Sequence, residues 1–139
     1  MRMLFDTSAL LKRYMPERGR ERVLALIAQA DPLVVAPHTR VELLSAINRL
    51  RREGVLSDEG YARTRAEIDA NFADMEVVPL SPLVERAAIQ ALERAPLRAA
   101  DALHVGAAHA ALAEVFVTAD VRQARGAEAL GLRCEALVD

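Results

Sequence analysis

The first eight residues of the chain read MRMLFDTS, residues 1–8. A short apolar run, Met3 to Phe5, ends in the carboxylate of Asp6, and two small hydroxyl residues follow it. Ligands of open α/β sheets bind in the crevice beyond the carboxyl ends of the strands. A strand that brings an acid to this edge therefore predicts a polar site, provided that other acids reach the same edge.

Short apolar runs alternate with amphipathic segments along the rest of the chain. We predict further strands at residues 33–36, 76–80, 115–118 and 133–138. We predict helices at residues 7–14, 20–30, 38–53, 57–73, 81–94, 99–113 and 121–130. Thr7 or Ser8 is the expected N-cap of the first helix. Strands that alternate with helices favour a parallel sheet covered on both faces, so we expect one α/β/α three-layer domain, residues 1–139, with a mainly parallel sheet of four to five short strands.

Length and composition narrow the class of protein. The 139 residues are 53% hydrophobic, which excludes a disordered chain and suffices for a hydrophobic core. No apolar run approaches the roughly 20 residues that span a bilayer. No signal peptide is recognisable either, so we expect a cytoplasmic protein without a membrane partner. The single cysteine, Cys134, fits a reducing compartment, and its apolar surroundings predict an inert core thiol.

The net charge of the chain does not indicate a nucleic-acid partner. Its net charge is −2, so there is no overall positive field. Lys12 is the only lysine, and all other basic residues are arginines. Arginine forks suit phosphate groups, but an arginine- and alanine-rich composition is also typical of a GC-rich genome. Composition alone leaves both explanations open.

Four acids lie where a strand or a loop enters a helix. Asp6 and Asp120 follow apolar strands. Glu42 and Asp101 open helices. Each acid also has a purely structural explanation. Asp6 and Asp120 can cap the helices that follow them. Asp101 can be stabilised by the positive end of its own helix, and Glu42 completes a capping box over residues 39–42.

Position favours a functional role for these acids. The helical spacing places Asp101 on one stripe with Val105, Ala108 and Leu112, and this stripe is predicted to face the sheet. A buried charge must be paired or hold a metal. Glu42 lies at the rim of the apolar face of its own helix. The pattern therefore predicts a cluster of acids drawn from both ends of the chain.

The chemistry of the cluster favours a hard cation. Several carboxylates with neighbouring hydroxyl groups and no nearby lysine suit Mg²⁺ or Mn²⁺. One cysteine and three scattered histidines lack the spacing of a zinc site. His104 and His109 fall on different faces of their helix, so a packed or a surface position is expected for them rather than acid–base catalysis.

Four segments of the chain resemble the motifs of the PIN-domain ribonucleases, most closely the VapC-type toxins of bacterial toxin–antitoxin pairs. In order, they are LFDTSAL at 4–10, PHTRVE at 37–42, LRAADALH at 97–104 and VTAD at 117–120. The resemblance spans essentially the whole chain and implies a PIN-like fold. It carries the family's acidic positions onto four residues of this chain: Asp6, Glu42, Asp101 and Asp120.

The resemblance implies a Mg²⁺-dependent endoribonuclease, with Mn²⁺ as a substitute. The four carboxylates would hold one or two ions, and one ion would activate a water for attack on a phosphodiester, leaving a 5′-phosphate and a 3′-hydroxyl. Asp6 and Asp101 are the expected principal ligands, and Asp120 would serve a second ion or bind through water. Glu42 would ligate the ion or orient the water, and Thr7 or Thr118 would supply a supporting hydroxyl.

The fourth motif departs from the family in one respect. The family often has a further acid soon after this Asp, whereas Val121 and Arg122 follow Asp120 here. This departure leaves the presence of a second ion open. The resemblance also implies three partners: an RNA substrate, a cognate antitoxin whose C-terminal segment covers the acidic pocket, and a second copy of the chain in a homodimer.

RNA that approaches a negative pocket needs cations at its rim. The candidates are arginines that flank the motifs: Arg13, Arg18, Arg20, Arg49, Arg51, Arg52 and Arg98. A solvated helix face is the alternative for each of them.

Two other classes of protein also carry an acid at the end of a strand or share this fold. A phosphotransfer protein would use Asp6 as a nucleophile, but a haloacid-dehalogenase-type phosphatase requires a second Asp where Ser8 stands. A receiver domain requires a lysine after a later strand, and the chain has none there. A non-catalytic PIN-like module that binds RNA or protein is the remaining alternative.

Overall fold

A computed structural model describes residues 1–137 of the chain. The strands are β1 (Met3–Phe5), β2 (Leu33–Val35), β3 (Glu76–Val77), β4 (Val115–Thr118) and β5 (Cys134–Ala136). The helices are α1 (Thr7–Leu11), α2 (Arg20–Gln29), α3 (Thr39–Arg52), α4 (Asp58–Phe72), α5 (Pro82–Arg94), α6 (Ala99–Ala110) and α7 (Val121–Ala129). Among residues 1–137, no helix is long and apolar enough to cross a membrane.

The five strands form one parallel sheet in the order β3-β2-β1-β4-β5. From β1 the chain adds β2 and β3 on one side of the sheet and then β4 and β5 on the other. The order therefore reverses beside β1, and α/β sheets bind their ligands at such a switch point, beyond the carboxyl ends of the strands. Asp6 and Asp120 follow the two strands that meet there.

Alternating strand residues divide the core between the two faces of the sheet. Met3 and Phe5 pack with the apolar residues of α1 to α4, for example Leu43. Leu4 and Phe116 pack on the opposite face with residues of α5, α6 and α7. Because side chains alternate along a strand, β1, β2 and β4 each supply both layers. The three-layer α/β/α fold with a parallel sheet is therefore confirmed, with five strands.

Helices α5 and α6 pack unusually closely because of Gly106. A Cβ atom at this position would lie 2.5 Å from the carbonyl oxygen of Val84 and 2.9 Å from the backbone nitrogen of Ala88. Only a residue without a side chain lets the two backbones approach in this way. The contact holds in place the helix that carries Asp101.

Several predicted boundaries differ from the structure. The first helix ends at Leu11 instead of residue 14, and β3 has two residues instead of five. Helix α6 ends at Ala110, and Leu112 adopts a positive φ of 55° and is 80% exposed, so it does not extend the buried stripe of Asp101. Residue 138 of the predicted fifth strand lies outside the described residues.

Candidate active site

Asp6 is fully buried at the end of β1 and is the N-cap of α1. Its Oδ1 accepts hydrogen bonds from the Ala9 N–H at 2.9 Å and the Ser8 hydroxyl at 2.7 Å, and its Oδ2 accepts one from the Thr118 hydroxyl. The predicted caps, Thr7 and Ser8, are wrong, because the aspartate itself accepts the free N–H of the first turn. Burial raises the pKa of Asp6 above its ordinary value although these donors and His104 act to lower it.

Thr118 joins Asp6 to Asp120. Its hydroxyl donates to Asp6 and accepts the backbone N–H of Asp120 at 2.9 Å. Ser8 completes the link, since its hydroxyl donates to Asp6 and accepts the Ala119 N–H at 3.0 Å. The ends of β1 and β4 are thereby tied together by two hydroxyl groups. Sequence reasoning identified Thr118 as a supporting hydroxyl but did not assign Ser8 a role at the site.

Asp120 is partly exposed at the start of α7. Its Oδ1 accepts the backbone N–H of Arg122 at 2.9 Å, so the capping explanation holds for this acid, as it does for Asp6. A cap of this kind occupies one carboxylate oxygen. Capping and metal binding are therefore compatible at this position.

Glu42 lies in the first turn of α3, and its side chain points toward α1 and α6. Its Oε1 accepts hydrogen bonds from the Thr7 hydroxyl at 2.6 Å and from His104 Nε2 at 2.6 Å. The expected capping box is wrong, because His38 is the N-cap residue and Thr39 lies inside the helix, where its buried hydroxyl has no partner among residues 1–137. Burial alone would raise the pKa of Glu42, but the bonds from His104 and Thr7 outweigh it and lower the pKa.

Two histidines surround Glu42. His104 is 1% exposed, as expected for a packed residue, while His109 is exposed on the other side of α6. His38 Nε2 lies 3.5 Å from Glu42 Oε1 and 2.8 Å from the carbonyl oxygen of Ala100. Burial and the neighbouring His104 lower the pKa of His38. The sequence signal that could have located His38 is its spacing, four residues before Glu42 on the same turn of helix.

Asp101 lies in the first turn of α6, and its side chain is 16% exposed. Its Oδ1 is 3.3 Å from the amide nitrogen of Gln123, which comes from α7, and its Oδ2 is 3.7 Å from Arg98 Nε. Gln123 is buried and was not identified from the sequence. Its side-chain amide, which comes from α7, donates to the Asp101 carboxylate of α6. This bond holds Asp101 toward the end of the sheet where Asp120 lies.

Side chains of Thr118 and Gln123 connect three of the four acids, whereas Glu42 is bonded to Thr7 and His104. Thr118 joins Asp6 to Asp120, and Gln123 joins Asp101 to the helix that Asp120 caps. In the described part of the chain, residues 1–137, the one group of at least three His, Cys, Asp or Glu whose ligand atoms lie within 4.8 Å of one another is His38, Glu42 and His104.

The donor set fits a divalent cation. The residues that reach the end of β1 and β4 offer carboxylate and hydroxyl oxygens, the ligands of Mg²⁺ and Mn²⁺. Asp6 is buried without a full counter-charge, since its three hydrogen bonds do not prevent the rise of its pKa. Lys12 cannot supply this charge, because its ammonium group is bonded to Glu17 and to the Arg18 carbonyl. A bound cation would compensate the buried carboxylate.

The arginines expected at the rim have different surroundings. Arg98 is closest to the acids, and its side chain is 82% exposed. Arg51 stacks on Tyr61 at 4.1 Å and bonds Asn48, and Arg13 lies 5.9 Å from the ring of Tyr14. These contacts show structural packing for Arg51 and Arg13, whereas Arg98 is exposed beside Asp101.

Cys134 lies at the edge of the core and takes no part in the site. Its thiol is half-buried, 3.5 Å from the carbonyl oxygen of Ala124. Burial raises its pKa to about 11. A thiol with so high a pKa is a poor nucleophile at neutral pH.

Comparisons with known proteins agree with this architecture. The fold is similar to those of FitAcB from Neisseria gonorrhoeae (16% identity, TM-score 0.72, 97% of both chains), and of a toxin–antitoxin complex from Klebsiella pneumoniae (12%, 0.71, 97% of both). It is also similar to that of VapC20, a sarcin–ricin loop cleaving toxin from Mycobacterium tuberculosis (16%, 0.66, 88% of this chain and 92% of that one). No curated protein sequence matches the chain. The model of the PIN domain family matches residues 3–129, and the chain belongs to this family.

Proposed function

We propose that the protein is a Mg²⁺-dependent endoribonuclease and the toxin of a toxin–antitoxin pair. The observation that supports this function best is the arrival of Asp6, Asp101 and Asp120 at the switch point of a PIN-family sheet. Glu42 joins them through the hydroxyl of Thr7, which follows Asp6 directly. Carboxylates at this position suit the hydrolysis of a phosphodiester.

Asp6, Asp101, Asp120 and Glu42 are the residues that would hold the ion. A bound Mg²⁺ or Mn²⁺ would supply Lewis-acid activation of a water and neutralise charge on the phosphate. Asp6 would be the most rigid ligand, because three hydrogen bonds fix its carboxylate. Thr118 and Ser8 orient it, and their hydroxyls also fix the backbone that leads to Asp120.

Glu42 is suited to orient a water. Hydrogen bonds lower its pKa, so it is ionised at neutral pH and accepts hydrogen bonds from donors. Its Oε1 is occupied by Thr7 and His104, which hold the carboxylate in one position. In the proposed reaction, the fixed carboxylate accepts a hydrogen bond from the attacking water and sets its direction. The products would carry a 5′-phosphate and a 3′-hydroxyl.

Arg98 is the proposed first contact for the RNA backbone. Its guanidinium is exposed next to Asp101 and can hold a phosphate beside the acids. Its pairing with Asp101 across 3.7 Å is an exposed ion pair, which costs little to break. We therefore expect Arg98 to contribute to RNA binding more than to stability.

The remaining features of the proposal concern organisation and partners. We propose that residues 1–139 are a single domain in the cytoplasm, that it forms a homodimer, and that a cognate antitoxin covers the acidic pocket. The likeness to a Klebsiella pneumoniae toxin–antitoxin complex supports an antitoxin partner, and the likeness to VapC20 supports a toxin that cleaves RNA.

The experiment is an RNA cleavage assay with the purified chain, with and without Mg²⁺, on total ribosomal RNA, followed by sequencing of the new 5′ ends. Asp6→Asn and Asp101→Asn should reduce cleavage by about 100-fold or more, since each removes a charge that acts on the ion or the phosphate. Asp58→Asn is the matched control, because Asp58 lies in the first turn of α4 as Asp101 does in α6.

Three outcomes decide the proposal. Loss of cleavage in both site variants, with the fold retained by circular dichroism and with an active Asp58→Asn control, supports it. Cleavage that survives either site substitution overturns the assignment of that residue. RNA binding without any cleavage by the wild-type chain in Mg²⁺ or Mn²⁺ would favour the non-catalytic module instead.

A further inference from the structure

His38 and His104 lie beside Glu42, and neither histidine is among the ligands proposed for Mg²⁺. The ligand atoms of these three side chains lie within 4.8 Å of one another. The shortest separation joins His104 Nε2 to Glu42 Oε1 at 2.6 Å, and His38 Nε2 is 3.5 Å from the same oxygen. Zinc ligands at about 2.0–2.2 Å in tetrahedral geometry are roughly 3.3–3.6 Å apart. Small side-chain movements therefore convert this group into a three-ligand site.

The orientation of the two imidazoles supports the same conclusion. In the described residues, Nδ1 of His38 and Nδ1 of His104 have no hydrogen-bond partner, so each ring is held through Nε2 alone. His104 Nε2 is directed at Glu42, and His38 Nε2 lies near both Glu42 Oε1 and the carbonyl oxygen of Ala100, so metal binding would replace the hydrogen bond from His38 to Ala100. The rings also contact each other, with centroids 4.2 Å apart. The atoms that are directed into the group are thus the atoms that would bind a metal.

We propose that His38, Glu42 and His104 bind a borderline transition-metal ion, of the class of Zn²⁺ or Co²⁺, at a site that shares Glu42 with the proposed Mg²⁺ site but not its aspartates. Imidazole nitrogen suits this class of ion, whereas Mg²⁺ prefers oxygen ligands. Three protein ligands leave a further coordination position for water or for a ligand. The spacing of four positions from His38, the N-cap of α3, to Glu42 places both on one side of its first turn, and His104 is contributed by α6.

The site has a consequence for cleavage, which rests on the proposed function. Glu42 belongs to both groups, so an ion held by the histidines would engage the carboxylate that is proposed to orient the water. Occupation of the site should therefore inhibit cleavage in the presence of excess Mg²⁺. The ion would act as a negative regulator of the proposed nuclease.

The test uses Zn²⁺ in titration calorimetry and Co²⁺ in visible absorption spectroscopy, both on the full chain with Mg²⁺ in excess. The wild type should bind one Zn²⁺ per chain and show the intense d–d bands of low-coordinate Co²⁺. His38→Ala and Glu42→Gln should each weaken Zn²⁺ binding by more than about tenfold, because each removes a ligand. His38 is used because it is half-buried, so its replacement disturbs the core less than that of His104.

The chain offers two matched controls. His109→Ala removes the remaining histidine, which is exposed on α6, and Cys134→Ser removes the single thiol. Neither should change the binding of Zn²⁺. A wild type that does not bind Zn²⁺ or Co²⁺ overturns the proposal, and so does binding that His38→Ala leaves intact or that His109→Ala or Cys134→Ser abolishes.

The aspartate variants separate this proposal from the proposed function. Asp101→Asn should retain Zn²⁺ binding, and a loss as large as that of His38→Ala would place the ion at the acids and overturn the histidine site. Cleavage that survives Asp101→Asn would refute the proposed role of Asp101 without affecting Zn²⁺ binding. Zn²⁺ that binds the wild type tightly but leaves cleavage unchanged would overturn the regulatory consequence.

Discussion

Replacement of Gly106 by alanine is expected to destabilise the protein by about 1–2 kcal/mol, because α5 and α6 touch at this residue. The new Cβ would lie 2.5 Å from the Val84 carbonyl oxygen and 2.9 Å from the Ala88 nitrogen, whereas ordinary contacts begin near 3.4 Å. Both atoms belong to the backbone, so no rotamer change relieves the clash. The two helices would have to separate by roughly 1 Å in a close-packed layer.

Two opposing effects determine the magnitude. Overpacking usually costs about 1–3 kcal/mol, and the two backbone clashes place this case in the upper part of that range, at about 2–3 kcal/mol. Alanine is favoured over glycine in a helix interior by about 1 kcal/mol, which leaves a net loss of about 1–2 kcal/mol. Gly126→Ala in α7 provides the matched control. It receives the same gain in helix propensity, but its Cβ would meet the end of the Leu97 side chain, at 2.6 Å from Cδ1, which can rotate away. We expect this control to be neutral or slightly stabilised.

Urea unfolding monitored by circular dichroism measures both variants, with the slope of the transition checked for a change in cooperativity. The expected result is a lower midpoint for Gly106→Ala and an unchanged or higher midpoint for Gly126→Ala. A Gly106→Ala protein as stable as the wild type would refute the argument from backbone contact. Equal destabilisation of the two variants would show that the backbone clash is not the cause.

Two further predictions concern the buried carboxylate. Thr118→Val should lower stability by about 1–3 kcal/mol, because it leaves the buried Asp6 carboxyl group and the Asp120 N–H without the Thr118 hydroxyl. Thr118→Ser should restore most of the loss in the same urea assay, and equal loss in both variants would contradict this. Asp6→Asn should raise stability at neutral pH without metal, because burial raises the pKa of Asp6 and an amide carries no charge to desolvate. Between the ordinary pKa of 3.8 and the raised native pKa, Asp6 of the wild type is protonated in the native state and ionised in the unfolded state. The free energy of unfolding of the wild type therefore falls as the pH rises through this range. Thermal melts across this range should show that decline in the wild type and not in Asp6→Asn, and parallel profiles would refute the assignment.

The sequence was sufficient to predict the order of elements and the class of fold. Apolar runs such as residues 33–35 and 115–117 are buried on both faces, as parallel strands require, and helical spacing identified all seven helices. These patterns are local, since they depend on the periodicity of side chains along one element. Predicted ends were less accurate, as for α6, because its last turn depends on the positive φ at Leu112, which no local pattern signalled.

The sequence also determined which acids are available for the candidate site, and tertiary structure decided how they are held. Capping was a sound local expectation for Asp6 and Asp120, and both do cap helices. The capping box of Glu42 was equally sound locally, yet Thr7 and His104, distant in sequence, bind its carboxylate instead. A contact between α1, α3 and α6 has no signature in any one of them, because it exists only when the fold brings the three helices together.

The opening stretch of the chain shows most clearly which features depend on the sequence alone and which depend on tertiary structure. Residues 3–6 by themselves predict a buried strand that ends in an acid, because apolar run and carboxylate are adjacent in sequence. Only the parallel pairing of β1 with β4 places Thr118 against Asp6. His104 reaches Glu42 only because α3 and α6, which lie on opposite faces of the sheet, meet at its end. Hydrophobic periodicity is a local property of the sequence. The polar contacts of the site depend on distances between helices and strands, and only the tertiary fold determines these distances.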